Sequence, residues 1–179
     1  MTAALEMKAS DIQGWMTEDE LSWLSEQASR MESVAEIGCW KGRSTFALLS
    51  ACPGFVYAID HFQGSLEELS KGHKEALDGS IRGQFYANCG HFPNLRMIEA
   101  ESSVASELFS GREVDMVFID ASHRYEDVLL DIQHWEPKTR VLLAGHDFDV
   151  WPGVTQAVTE MLRPNVKRGP GSIWFVEVK

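Results

Sequence analysis

Short apolar runs alternate with amphipathic segments along most of this chain. Five runs are largely apolar, as in strands of a parallel sheet covered on both faces: Val34–Ile37, Phe55–Ile59, Leu95–Ile98, Val114–Ile119 and Arg140–Ala144. Apolar residues between and around them recur at helical spacing, which predicts helices over residues 18–30, 43–51, 102–109, 125–135 and 154–162. Glycines break the stretch 64–91, which predicts only short helices. This alternation is typical of an α/β fold with a doubly wound, mostly parallel sheet.

The two ends of the sequence add a capped helix and a hairpin. Thr17 and Glu20 have the spacing of a capping box, which predicts a helix that begins at residue 18. Near the other end, Gly169-Pro170-Gly171 separates residues 165–168 from residues 172–178, which predicts a C-terminal antiparallel hairpin. We expect a single domain over residues 1–179, with an N-terminal helical segment (1–32) and a core (33–179).

Polar residues follow each of the five apolar runs. The carboxyl ends of parallel strands share one edge of a sheet, and ligands of open α/β sheets bind there. We therefore expect one site to be lined by Glu36–Gly42, Asp60, Ala100–Ser103, Asp120–His123 and His146–Asp149.

The first of these segments contains two glycines, Gly38 and Gly42. Gly38 can adopt backbone angles that a side chain forbids, and Gly42 opens a helix whose free N–H groups favour an anionic group. The dinucleotide fingerprint G-x-G-x-x-G lacks its middle glycine here, which disfavours a pyrophosphate site. Asp60 can accept hydrogen bonds from both hydroxyls of a ribose, with His61 on the same pocket wall. The alternatives are a tight turn without a ligand and an Asp60 that only caps a helix or faces solvent.

Asp120 and His123 form the candidate catalytic pair. His123 can accept a proton from a substrate hydroxyl, because an unperturbed imidazole titrates close to neutral pH; alternatively it caps the next helix or bonds Asp120. Asp120 and Asp147 are candidates to share a divalent cation, with His146 beside them. The alternative is a hydrogen-bonded His146–Asp147 pair that lines the pocket.

Taken in order, these motifs resemble those of class I S-adenosylmethionine-dependent methyltransferases. The resemblance runs from about Thr17 to Val178, with Glu36–Thr45 similar to the first motif and Tyr57–Asp60 similar to the second. The later segments are similar to a small branch that includes metal-assisted O-methyltransferases of natural-product sugars: Phe118–Tyr125, Asp131, Gly145–Asp147 and Pro152–Val154.

This resemblance implies a Rossmann-like seven-stranded sheet and methyl transfer to a small molecule, with a hydroxyl oxygen as the expected acceptor. It implies S-adenosylmethionine as the cofactor, with Asp60 on the ribose and Glu101 and Ser102 along the adenine. The methionine portion would be held by Glu36, Gly38, Cys39, Trp40 and Gly42, with Ser44, Thr45 and Asp120 close by. His123 would be the base, and Asp120, His146 and Asp147 would hold Mg²⁺ or Mn²⁺. Related enzymes place a carboxylate or amide where this chain has His146, and imidazole suits zinc, iron or manganese better than magnesium.

Composition and charge indicate which binding partners and which cellular compartment this chain fits. The net charge of −11 disfavours nucleic acid and anionic membranes as partners, and no apolar run is long enough to span a bilayer. Three cysteines without a CxxC pattern and no visible signal peptide fit a cytoplasmic protein. A segment that covers the site could come from this chain or from a second copy of it, so a homo-oligomer is one of the alternatives. A non-catalytic S-adenosylmethionine-binding protein and, less favoured, an NAD-dependent oxidoreductase are the alternative functions.

Overall fold

The computed structural model describes residues 7–64, 75, 79–111 and 113–178. Within them, seven strands form one sheet in the order β3-β2-β1-β4-β5-β7-β6. The strands are β1 (Ser33–Ile37), β2 (Phe55–Ile59), β3 (Leu95–Ile98), β4 (Val114–Ile119), β5 (Thr139–Gly145), β6 (Lys167–Arg168) and β7 (Trp174–Glu177). Strands β1 to β5 pair in parallel, and β7 is antiparallel to both β5 and β6. The doubly wound, Rossmann-like sheet with its antiparallel hairpin is thus confirmed.

Helices cover both faces of this sheet. They are α1 (Glu18–Ala28), α2 (Arg43–Ala51), α3 (Ser80–Cys89), α4 (Ser102–Ser106), α5 (Tyr125–Trp135) and α6 (Pro152–Leu162). Successive residues of one strand point to opposite faces. Val34 accordingly packs in a core cluster with residues of α1, α2 and α3, whereas Ala35 packs in a second cluster with residues of α4, α5 and α6. Two buried faces explain why the strands are apolar throughout.

Several predicted boundaries differ from the observed ones by a few residues, most clearly at the ends of two helices and in the C-terminal hairpin. Helix α1 ends at Ala28 and helix α4 ends at Ser106, because tighter i→i+3 hydrogen bonds replace the helical pattern after each. Strand β6 covers only Lys167–Arg168, since the backbone N–H of Asn165 still bonds the carbonyl of Leu162 in the turn after α6. In the stretch 64–91, α3 is present, and residues 65–74 and 76–78 lie outside the described residues.

Two further features bear on the sequence-based expectations. Cys39, Cys52 and Cys89 are all buried and free of disulfides. Among the described helices, none combines the length and apolar character that a bilayer crossing requires.

Candidate active site

A cleft of about 1500 Å³ opens at the carboxyl ends of the parallel strands. It lies where the strand order reverses between β1 and β4, the point at which open α/β sheets bind their ligands. Residues from all five predicted segments line it, so the expectation of one shared edge is confirmed. The predicted site residues that line it are Gly38, Cys39, Trp40, Ser44, Asp60, His61, Glu101, Ser102, Asp120, His123, His146 and Asp147. Glu36, Gly42 and Thr45 lie outside this lining.

The turn after β1 needs both of its glycines. Gly38 has φ +88° and Gly42 has φ +89°, a backbone region that side chains disfavour. A Cβ at Gly38 would lie 2.6 Å from the Cα of Ala121, so the turn also packs directly on the backbone after β4. Gly38, Cys39 and Trp40 of this turn line the cleft.

Asp60 fixes the shape of this turn. Its Oδ2 accepts hydrogen bonds from the backbone N–H groups of Cys39 at 2.8 Å and Trp40 at 2.9 Å. Its Oδ1 accepts a third from Phe62 at 2.6 Å. A carboxylate offers about four acceptor positions, so about one is left for a ribose hydroxyl rather than the two that the sequence-based expectation assumed. The turn-shaping role was not predicted from the sequence.

Glu36 lies beneath the turn and is completely buried. Its Oε2 accepts a hydrogen bond from the Thr45 hydroxyl at 2.5 Å, whereas its Oε1 has no hydrogen-bond partner among the described residues. Burial raises the pKa of Glu36 to about 7, although hydrogen bonds from Ser44 and Thr45 oppose the shift. Glu36 and Thr45 thus form a buried hydrogen-bonded pair outside the lining of the cleft.

Polar side chains of α4 and α5 line the far end of the cleft. The Ser102 hydroxyl accepts a hydrogen bond from Nε1 of Trp135 at 2.9 Å, beside Glu101. Asp131 and His134 line the same end and were not among the predicted site residues. Burial raises the pKa of Asp131 to about 6, although a hydrogen bond with Ser102 opposes the shift. In the sequence, Asp131 was indicated only through the resemblance to the small O-methyltransferase branch, and His134 gave no signal, because both lie on a helix rather than directly after a strand.

The candidate base is held by a carboxylate. The Nε2 atom of His123 lies 2.9 Å from Oδ2 of Asp147, and its ring stacks on Trp151 with centroids 4.5 Å apart. Burial opposes the charge of Asp147, but hydrogen bonds with His123 and His146 outweigh burial and hold the pKa of Asp147 well below its usual range. Asp147 itself has φ +65°, and this left-handed backbone turns the chain sharply as it leaves β5.

His146 is buried among three carboxylates. Its Nε2 lies 2.9 Å from Oε1 of Glu20, and its Nδ1 lies 3.6 Å from Asp120 and 3.5 Å from Asp147. Burial lowers the pKa of His146, but the carboxylates of Asp120 and Asp147 outweigh it and raise the pKa to about 11. Glu20 was predicted only as a helix cap.

The same groups fit a divalent cation. Ligand atoms of Asp120, His146 and Asp147 lie within 4.8 Å of one another, and Nδ1 of His146 faces both carboxylates. A bound cation would replace the proton on Nδ1, and the hydrogen that stays on Nε2 would donate to Glu20. One imidazole and two carboxylates suit manganese, iron or zinc better than magnesium.

The rim of the cleft is formed partly by the segment before α1. The Arg43 side chain donates to the carbonyls of Ser10, Ile12 and Met16 and so binds this segment to α2. The segment presents Trp15, which is 63% exposed and whose ring centroid lies 4.5 Å from that of Trp40. A large exposed aromatic group at the cleft is suited to contact a substrate.

Together, the sheet order and the glycine turn define the class I methyltransferase fold. Residues 35–148 match the sequence profile of the family described as "Methyltransferase domain", and the chain belongs to this family. This membership disfavours the NAD-dependent alternative. No curated protein sequence matches the chain.

Solved structures share the fold at low sequence identity. TomG, an O-methyltransferase from Streptomyces achromogenes in complex with SAM, gives a TM-score of 0.64 at 15% identity, covering 92% of this chain and 82% of its own. An O-methyltransferase from Bacillus cereus in complex with SAH gives 0.60 at 15% identity, covering 96% and 86%. CalS11, a TDP-rhamnose 3'-O-methyltransferase of calicheamicin biosynthesis, gives 0.58 at 18% identity, covering 88% and 76%.

Proposed function

We propose that this protein transfers the methyl group of S-adenosylmethionine to a hydroxyl oxygen of a small molecule. The observation that carries this proposal is that His123, held by Asp147, lines the same cleft as Asp60 and the turn at Gly38. The complexes of TomG with SAM and of the Bacillus cereus enzyme with SAH support the choice of cofactor.

The cofactor would lie across the carboxyl ends of β1, β2 and β3. The backbone of the turn at Gly38 would hold the methionine portion, Asp60 the ribose, and Glu101 and Ser102 the adenine. The carboxylates at this edge favour a ligand that carries the positive charge of a sulfonium.

In the proposed reaction, His123 accepts the proton of the substrate hydroxyl. The oxygen attacks the methyl carbon, a C–O bond forms, and the C–S bond breaks to leave neutral S-adenosylhomocysteine. Asp147 stabilises the imidazolium and keeps its ring oriented, and the cleft contributes alignment of the two reactants. A divalent cation held by Asp120, His146 and Asp147 would, when bound, favour the ionised hydroxyl and orient it.

A pair of measurements tests this proposal. Calorimetry should detect S-adenosylhomocysteine binding to the full chain, and a panel of hydroxylated small molecules should reveal methyl transfer through release of that product. Absence of binding at saturating ligand would overturn the assignment of the cofactor. Binding without turnover on any acceptor, in the presence and absence of Mn²⁺, would instead favour a non-catalytic S-adenosylmethionine-binding protein.

We further propose a single domain over residues 1–179 and a cytoplasmic location. Two core clusters on one sheet support the first, and three free, buried cysteines are consistent with a reducing compartment. The net charge of −11 supports a small-molecule partner over nucleic acid. Trp15 is exposed on the rim of the cleft, where a second copy of the chain would bury it. Light scattering of the purified protein tests for this homo-oligomer.

A further inference from the structure

Glu20 has more contacts than a helix cap requires. It is 3% exposed and lies in the first turn of α1. Its Oε2 accepts hydrogen bonds from the backbone N–H of Thr17 at 2.7 Å and from the Thr17 hydroxyl at 2.8 Å. The first of these contacts, together with the Glu20 N–H that donates to the Thr17 hydroxyl, forms the capping box and leaves Oε1 for other partners.

The second oxygen of Glu20 faces the cation-binding end of the cleft. Oε1 accepts a hydrogen bond from the backbone N–H of Ser172 at 2.9 Å and lies 2.9 Å from Nε2 of His146. Donors on two sides prevent the carboxylate from rotating freely. The His146 ring is therefore held with its other nitrogen, Nδ1, toward Asp120 and Asp147.

We infer that Glu20 is a positioning residue for a cation site, because it keeps the hydrogen of His146 on Nε2 and leaves Nδ1 as a ligand beside Asp120 and Asp147. A carboxylate behind a metal-binding histidine fixes the ring and strengthens it as a ligand. With imidazole in the ligand set, the site binds Mn²⁺ or Zn²⁺ in preference to Mg²⁺. This inference rests on the proposed function only for the catalytic use of the cation.

Metal binding by two variants of the full chain tests the role of Glu20. Titration with Mn²⁺ alone, followed by EPR of the free ion, should show an affinity about 10- to 100-fold weaker in Glu20→Gln than in the wild type. Thr17→Ala is the matched control, because it removes hydroxyl contacts of the cap and leaves Oε1 with His146 and Ser172. It should lower stability and leave Mn²⁺ affinity unchanged. Equal affinity in Glu20→Gln and wild type, or equal losses in both variants, would overturn the inference.

A measurement on the wild type covers the case in which Glu20→Gln does not fold. Long-range ¹H–¹⁵N spectra of the Zn²⁺-loaded protein, with His146 assigned through His146→Asn, should show a protonated Nε2 and a metal-bound Nδ1. A metal-bound Nε2, a ring protonated on both nitrogens, or no binding of either ion would contradict the inference. S-adenosylhomocysteine binding is measured on the same samples. Absence of S-adenosylhomocysteine binding by the wild type would count against the proposed function, whereas absence of metal binding by the wild type alone would count only against the inference about Glu20.

Discussion

The Nε2 atom of His123 lies 2.9 Å from Oδ2 of Asp147, although 24 positions separate the two residues in the sequence. The sheet explains this proximity. Strands β4 and β5 are parallel neighbours with Ile119 opposite Gly145, so the loops that leave their carboxyl ends meet. An imidazole that is oriented by a carboxylate and stacked on Trp151 is suited to accept a proton from a bound hydroxyl.

Replacing His123 should separate chemistry from cofactor binding. We expect His123→Gln to lower kcat about 10²- to 10⁴-fold, the usual contribution of a general base. The affinity for S-adenosylhomocysteine should stay unchanged, because the proposed cofactor contacts come from other strands. Calorimetry and single-turnover kinetics measure the two effects. Wild-type kcat in this variant would exclude His123 as the base.

Replacing Asp60 should affect the turn and the cofactor together. Asp60→Asn reduces the carboxylate to one accepting oxygen, while three backbone N–H groups require acceptors. We expect a loss of about 2 kcal/mol in stability, a Tm lower by about 4–8 °C, and S-adenosylhomocysteine binding at least about 10-fold weaker. Asp19→Asn makes the same chemical change at an exposed position of α1 and serves as the control. Unchanged Tm and affinity in Asp60→Asn would refute both roles.

The fold was predictable because its signals are local. Apolar runs and helical spacing mark each element, and parallel pairing then brings the strand ends together. The candidate site was predictable to the same extent, since Asp60 and Asp120 directly follow strands and His123 lies three residues after Asp120. Glu20 was not, because the capping box accounts for it within four residues, whereas its contact with His146 spans 126 positions. Sequence spacing does not indicate where the second oxygen of a capping carboxylate points.

The two glycines Gly38 and Gly83 should respond oppositely to alanine. At Gly38, the positive φ and the nearby Ala121 backbone leave no space for a Cβ, so we expect Gly38→Ala to cost at least about 3 kcal/mol. At Gly83, inside α3, a Cβ would meet nothing within 4 Å, and alanine should stabilise the protein by about 0.5–1 kcal/mol. Urea unfolding of both variants measures the contrast. A Gly38→Ala variant as stable as the wild type would mean that the turn has a different backbone conformation.

Glu36 should make the protein less stable as the pH rises toward neutrality. Burial raises its pKa in the folded chain from the ordinary value of 4.5 to about 7. Below about pH 4.5 the carboxyl is protonated whether the chain is folded or unfolded. Between these two values only the folded chain keeps the proton, so stability falls with rising pH, and above about pH 7 the loss is complete at about 3 kcal/mol.

The variant Glu36→Gln isolates this contribution, because an amide is neutral at every pH and still accepts the Thr45 hydrogen bond. Both proteins share every other titrating group, so the difference between their unfolding free energies reports Glu36. We expect Glu36→Gln to gain about 2 kcal/mol relative to the wild type between about pH 5.5 and pH 8, with most of the gain below about pH 7. Denaturant unfolding at a series of pH values measures this difference. Parallel stability curves for the two proteins would mean that Glu36 is already ionised at pH 5.5 and that its burial is compensated by its neighbours.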